Sequence, residues 1–237
     1  GVKAAGFAAL LRVSASIFPA VAADLAPILA VLAALTMVVG NVTAVAQTDI
    51  KRMLGYSSIA QAGYILMAFV PFQNEALRGT AVAAGLFYLV AYTIASFGSW
   101  GVVIALEQEE GKGLQLADYA GLGKKHPWLA FAMAIFMLSL TGLPPTLGLV
   151  GKFYLFRSAM EGNLLWLAII GVLTSLVSAF YYLRVIVTMY FKDGEPVVVK
   201  DNVLNWTLGA CVLATVILSL VPAPLFAWAS NALLSAF

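Results

Sequence analysis

The sequence predicts an all-α, polytopic transmembrane bundle of about seven spans, with one discontinuous helix near Pro144-Pro145. Three observations lead there. Apolar runs of about 20 residues, the length that crosses a hydrocarbon core, recur along the whole chain. Charged side chains fall mostly in the short connectors between them. Apolar residues make up 62% of the chain and charged residues only 10%, against about 25% charged in an ordinary soluble domain. A soluble fold of this length has no means of hiding that much apolar surface.

The first span runs from Gly1 to Phe18 and stops at Pro19; the second runs from Leu25 to Ala46, after the polar break at Asp24. Leu54 to Phe72 and Gly79 to Leu106 form the third and fourth. A charged connector, Glu107 to Pro127, then carries Glu109, Glu110, Lys112, Asp118, Lys124, Lys125 and His126. The fifth run, Trp128 to Met160, is too long for a simple crossing and has a proline pair in its middle. Leu164 to Phe191 and Val203 to Val221 are the sixth and seventh, and the tail from Pro222 to Phe237 reads as a short interfacial helix. No soluble domain fits between these spans, so residues 1–237 form a single membrane domain. The chain opens on Gly1 inside an apolar run, with no Met and no basic signal head, and reads as starting within a longer protein.

Orientation follows lysine and arginine. Alternate connectors place Lys51, Arg52, Lys112, Lys124, Lys125, Lys192 and Lys200 on one side and only Arg78 and Arg157 on the other. The first set marks the cytoplasmic side, which puts the C-terminus outside. Trp100, Trp128, Trp166 and Trp206 fall near span ends, as interfacial belts require.

Several function classes are excluded. The net charge is +2 and no basic stripe is interleaved with aromatics, so nucleic acid is not a partner. One cysteine, Cys211, lies in an apolar run and gives neither a disulfide framework nor a zinc cluster. With one histidine, His126, in a connector before Pro127, haem or zinc binding within the chain is excluded. There is no phosphate loop and no dinucleotide fingerprint.

Most remaining charges have an ordinary explanation: Arg52, Arg78, Arg157 and Arg184 lie near span ends, where long side chains snorkel to the headgroups. Two lysines resist it. Lys3 has no charged neighbour until Arg12, about 13 Å along a helix, so with Arg12 at the outer interface Lys3 falls near mid-bilayer. Lys152 follows the stretch Thr141-Gly142-Leu143-Pro144-Pro145-Thr146 and lies well inside the fifth span. A lysine at that depth costs about 3 kcal/mol on insertion scales and normally faces a cavity or a partner. Proline removes a donor and clashes with the preceding turn, so the helix breaks there; irregular backbone at membrane depth is tolerated only where protein or water satisfies it. Ser139, Thr141 and Thr146 are placed to bond freed carbonyls or hold water. No Asp or Glu lies centrally in any span. Burial disfavours an ammonium and a nearby carboxylate favours it, so an amine alternating between such surroundings takes and releases a proton; the carboxylate has to come from outside this chain.

The segment Asp49-Ile50-Lys51-Arg52-Met53-Leu54-Gly55-Tyr56-Ser57-Ser58-Ile59-Ala60-Gln61-Ala62-Gly63-Tyr64 resembles the antiporter-like subunits of respiratory complex I. Val2-Lys3-Ala4-Ala5, Gly40-Asn41, Leu143-Pro144-Pro145 through Gly151-Lys152-Phe153-Tyr154, and Ser178-Ala179-Phe180-Tyr181-Tyr182-Leu183-Arg184 strengthen the likeness. Their order and spacing are most similar to the N-type subunits of proton-pumping NADH-quinone oxidoreductase, and the match covers essentially the whole chain. The resemblance implies a parent of fourteen spans with two inverted repeats of five, this chain supplying spans eight to fourteen. It implies that Lys3 and Lys152 relay protons, with Tyr56, Ser57, Ser58, Ser139 and Thr141 as hydration or relay partners. Gln61 stands where many relatives carry histidine; an amide there can still orient water. NADH, FMN, iron–sulfur clusters and quinone would belong to other subunits, with none bound in this chain. The partners implied are other hydrophobic subunits, lipid, protons and water, in an energy-conserving membrane such as the bacterial inner membrane. Two other readings stay open: a subunit of a multisubunit sodium/proton antiporter or membrane-bound hydrogenase, and a structural scaffold with inert, paired lysines.

Overall fold

Helices account for nearly all of the described residues because the sequence leaves the backbone no other way to satisfy its polar groups away from water. The computed structural model describes residues 2–107, 112–199 and 201–234. Glu109, Glu110 and Lys200 lie outside the described residues, and the side chain of Arg12 is likewise not described.

The first helical element, α1 (Val2–Val45), is longer than expected: residues on both sides of Pro19, Asp24 and Pro27 are helical. It does not run straight. Lys3 bonds Ser58, while a methyl group on Gly40 would lie 2.5 Å from the backbone nitrogen of Ala60. Straight helix would separate residues 3 and 40 by about 55 Å, yet both reach neighbouring positions of α2 (Ile50–Met67). Phe7 likewise meets Phe69, ring centroids 6.4 Å apart. The chain therefore turns back between Leu10 and Leu25, and the two expected spans lie side by side.

α2 starts on Asp49, whose carboxylate accepts from the Arg52 amide at 2.8 Å. After a 3₁₀ turn at Val70–Gln73, α3 (Glu75–Leu106) forms the centre of the bundle. Small residues let neighbours approach it closely: Ala91, Ala95 and Ser99 are all buried, and Gly98 faces the ring of Phe136 with no room for a side chain. The fifth span is broken, as its prolines require, into α5 (Pro127–Thr141) and α6 (Leu147–Glu161). α4 (Leu122–Lys125) is a single turn, and α7 (Leu165–Phe191) and α8 (Asn202–Leu220) complete the long helices. Among the described residues, Asp24–Val45, Ala76–Leu106, α7 and α8 are each long and apolar enough to cross a membrane alone. The tail forms the short helix α9 (Ala223–Leu234), which lays one face on the bundle. Phe226 packs on Tyr154, centroids 4.3 Å apart, and lies near Phe87, which anchors the helix to the bundle.

The connectors expected on one side gather at one end of the bundle. Lys51 pairs with Glu107 there, Lys124 with Asp193 at 2.6 Å and Lys125 with Glu195 at 2.9 Å. The Lys124–Asp193 hydrogen bond raises the lysine pKa and lowers that of the aspartate. Both groups are bathed in water, where such pairs hold little.

Candidate functional site: a buried lysine at the broken helix

The break leaves the last carbonyls of α5 and the first amides of α6 without helical partners, and the sequence answers both needs locally. Gly142 closes α5 in the left-handed region, φ 88°, its amide bonding Leu138 and Ser139 carbonyls. A side chain there would be strained and would press on Lys152, whose Cδ lies 2.9 Å from the added carbon. α6 then resumes beside the end of α5. The Gly148 amide donates to Ser139 Oγ at 3.2 Å.

One turn further, Lys152 Nζ donates to the carbonyls of Leu140 at 3.0 Å and Thr141 at 2.8 Å, and to Ser175 Oγ at 2.8 Å. All three ammonium donors are thus used, on a side chain only 3% exposed. The carbonyl end of α5 is where a helix dipole favours a cation, and the Tyr64 ring lies 4.8 Å away. Every partner is neutral; among the described residues no carboxylate bonds Lys152.

From Leu140 the bonding continues through a residue that sequence reasoning left at the margin. Gln61 Nε2 donates to Leu140 carbonyl at 3.2 Å and Tyr182 hydroxyl at 3.3 Å, and its Oε1 accepts from Tyr88. Tyr182 shares a 2.6 Å hydrogen bond with Ser57. A second branch joins Tyr64 to Thr174 at 3.1 Å and to Asn41, which accepts from Tyr181 at 2.9 Å. The backbone carbonyl between Lys152 and Gln61 carries no exchangeable proton, so the direct hydrogen bonds alone offer no continuous proton route between them.

Lys3 is on the other side of α2. It is exposed along α1 and donates to Ser58, which in turn donates to Gly55 carbonyl at 2.5 Å. It borders a cavity of about 530 Å³ with Ser58, Tyr92, Ser96, Trp100 and Thr207. The adjacent Ser57 and Ser58 therefore serve opposite faces of α2, one toward Tyr182 and the other toward Lys3. Thr141 contributes its carbonyl, while its hydroxyl bonds back to Met137 at 2.7 Å. Tyr56 is 36% exposed on the outer face and joins neither cluster. The residues missed as partners, Tyr88 and Ser175 among them, are ordinary apolar-helix residues in sequence. Asn41, Gln61, Tyr181 and Tyr182 lay within the quoted segments without a charge to mark them.

Gln61→Leu should destabilise the bundle by about 1–3 kcal/mol, because Tyr88 loses its acceptor in a buried site. Gln61→His should cost less, since imidazole keeps one donor and one acceptor. Thermal dissociation of the two variants from the membrane assembly checks the order; equal losses would contradict it.

Among the described residues, His, Cys, Asp and Glu do not gather in groups of three that would hold a metal. Residues 1–178 match the family model described as NADH:quinone oxidoreductase/Mrp antiporter, TM. NADH-quinone oxidoreductase subunit N of Trichlorobacter lovleyi is 52% identical over 197 residues, which are 82% of this chain and 39% of that protein. A chain of respiratory complex I from Thermus thermophilus, solved with bound aureothin, is similar at TM-score 0.74 and 33% identity, covering 84% of this chain and 44% of its own. A chain of the Mrp complex from Dietzia sp. DQ12-45-1b shares the fold, with TM-score 0.83 at 22% identity over 95% of this chain and 50% of its own. The chain spans about half the length of the curated relatives it matches, or somewhat less.

Proposed function

Since this chain belongs to the NADH:quinone oxidoreductase/Mrp antiporter family of membrane proteins, we propose that it is the second half of a proton-translocating subunit of NADH-quinone oxidoreductase. In this reading, spans eight to fourteen of a fourteen-span subunit move protons, driven by quinone reduction in other subunits. In this reading the redox steps belong to other subunits.

One observation carries the reading: a fully buried lysine, set in the break of a spanning helix, is held by neutral oxygens alone. An inert structural lysine at that depth calls for a carboxylate to offset the cost of burying charge. Here no counter-charge fixes the proton, and a change in the charge of neighbouring groups can move it. Gln61, Tyr182 and Ser57 lead from Lys152 toward α2, and Ser58 and Lys3 continue from its other face. Ser139 and Thr141 hold the break in shape, and Ser139 anchors the first turn of α6. Water completes the steps that the Leu140 carbonyl interrupts.

Purification of the full-length protein from native membranes tests the assignment. Flavin- and iron–sulfur-bearing subunits with quinone reductase activity should accompany it. A lone monomer that retains transport, or a redox-free set of hydrophobic partners, would contradict it and favour a sodium/proton antiporter.

A further inference from the structure

On the side of the bundle away from the lysine-rich connectors, an opening of about 340 Å³ lies between α3, α6 and α9. Its chemistry is graded along α6. The deep wall is aromatic: Tyr154 packs on Phe226 at 4.3 Å and stands 5.3 Å from Phe87. One turn further, Ser158 is 4% exposed and its hydroxyl has no hydrogen-bond partner among the described residues. At the mouth Arg157 Nε bonds Glu161 Oε1 at 2.8 Å, the two side chains 60% and 35% exposed.

Depth along the helix matters as much as composition. Glu161 is nine residues beyond Lys152, about 13 Å along α6, and half the hydrocarbon thickness is about 15 Å. With Lys152 at the bilayer centre, the Arg157–Glu161 pair reaches headgroup depth and the aromatic wall remains among the acyl chains.

We propose that this opening binds one zwitterionic phospholipid with a primary-ammonium headgroup, its phosphate on Arg157 and its ammonium on Glu161. The bond to Glu161 uses Nε and leaves the two Nη groups, whose planar fork suits a phosphate. Glu161 accepts from the ammonium, and the Ser158 hydroxyl supplies a donor to a headgroup or ester oxygen. One acyl chain covers Phe226, Tyr154 and Ala84. An anionic lipid brings a phosphate for Arg157 but no ammonium for Glu161, leaving the site with a net negative charge, and a free phosphate has no use for the aromatic wall. The site is separate from the proton path and does not depend on it.

The test is native mass spectrometry of the full-length protein in its membrane assembly, delipidated and then offered dioleoyl phosphatidylethanolamine, phosphatidylglycerol and phosphatidylcholine in equal amounts. One phosphatidylethanolamine should be retained at least about tenfold over phosphatidylglycerol, the range a charge-assisted contact supplies. Phosphatidylcholine, which keeps the phosphate but has no ammonium N–H, should fall between. Arg157→Gln and Glu161→Gln should each lower retention about tenfold while the chain stays in the assembly. Should either variant leave the assembly, Ser158→Ala carries the test, with a loss of severalfold expected. Equal retention of phosphatidylethanolamine and phosphatidylglycerol overturns the proposal, as does retention unchanged by the substitutions. A neighbouring subunit's side chain found in the opening overturns it too.

Discussion

Lys152→Ala should leave the membrane assembly intact and lower its proton translocation by about 100-fold or more, the range that loss of a positioned proton-transfer group produces. The structure separates the two effects. Removing the ammonium takes one donor from each of the Leu140 and Thr141 carbonyls, but neither is orphaned: Leu140 still accepts from Gln61 and Thr141 from Ser175 at 3.1 Å. No carboxylate loses its partner, so the several kcal/mol that breaking a buried ion pair costs does not arise. What remains is a cavity penalty of a few kcal/mol at most. Proton flux in sealed vesicles, measured beside the amount of assembled protein, checks both halves. Loss of assembly in proportion to loss of flux would mean that Lys152 is structural.

Gly148→Val should have the opposite profile and prevent stable assembly. A side chain at Gly148 would overlap the Ser139 carbonyl oxygen, which is backbone and has nowhere to go. α6 must then move off the end of α5, and Lys152, one turn further along, loses both carbonyls together. A destabilisation above about 3 kcal/mol follows from overpacking combined with a broken polar network. Ser139→Ala is the graded control: it removes only the acceptor of the Gly148 amide, at about 1–3 kcal/mol. Yield of the chain in purified membranes should rank wild type, Ser139→Ala, then Gly148→Val; a normal yield of the valine variant would show that the half-helices are not docked as described.

The sequence made the coarse architecture legible because membrane physics acts on composition directly. Runs of apolar residues mark the spans, Pro144-Pro145 marks the break, and the lysine-rich connectors come together at one end as Lys51, Lys124 and Lys125 show by their partners. The reversal within α1 was legible: Pro19 and Asp24 separate two expected spans, and the contacts of Lys3 and Gly40 with α2 place those spans side by side. Lys152 stood out because a charge in an apolar run has to be explained. Its partners did not, since backbone carbonyls carry no sequence signature and Ser175 resembles any small packing residue. Gln61 belongs at the centre of the network for a reason that linear reading does not expose: an amide donates and accepts at once, and its position opposite Leu140, Tyr88 and Tyr182 is a product of tertiary packing.

The central claim is that Lys152 works by exchanging its proton, and the Lys152→Arg variant tests it most directly. Guanidinium keeps the positive charge and can donate to the Leu140 and Thr141 carbonyls, but it does not give up its proton in proteins. The measurement is protons moved per quinone reduced, taken in sealed vesicles on an assembled Lys152→Arg complex. The ratio should fall as it does for Lys152→Ala, with the complex still assembled. An assembled Arg variant that pumps at the wild-type ratio would show that charge alone suffices and that Lys152 relays no proton.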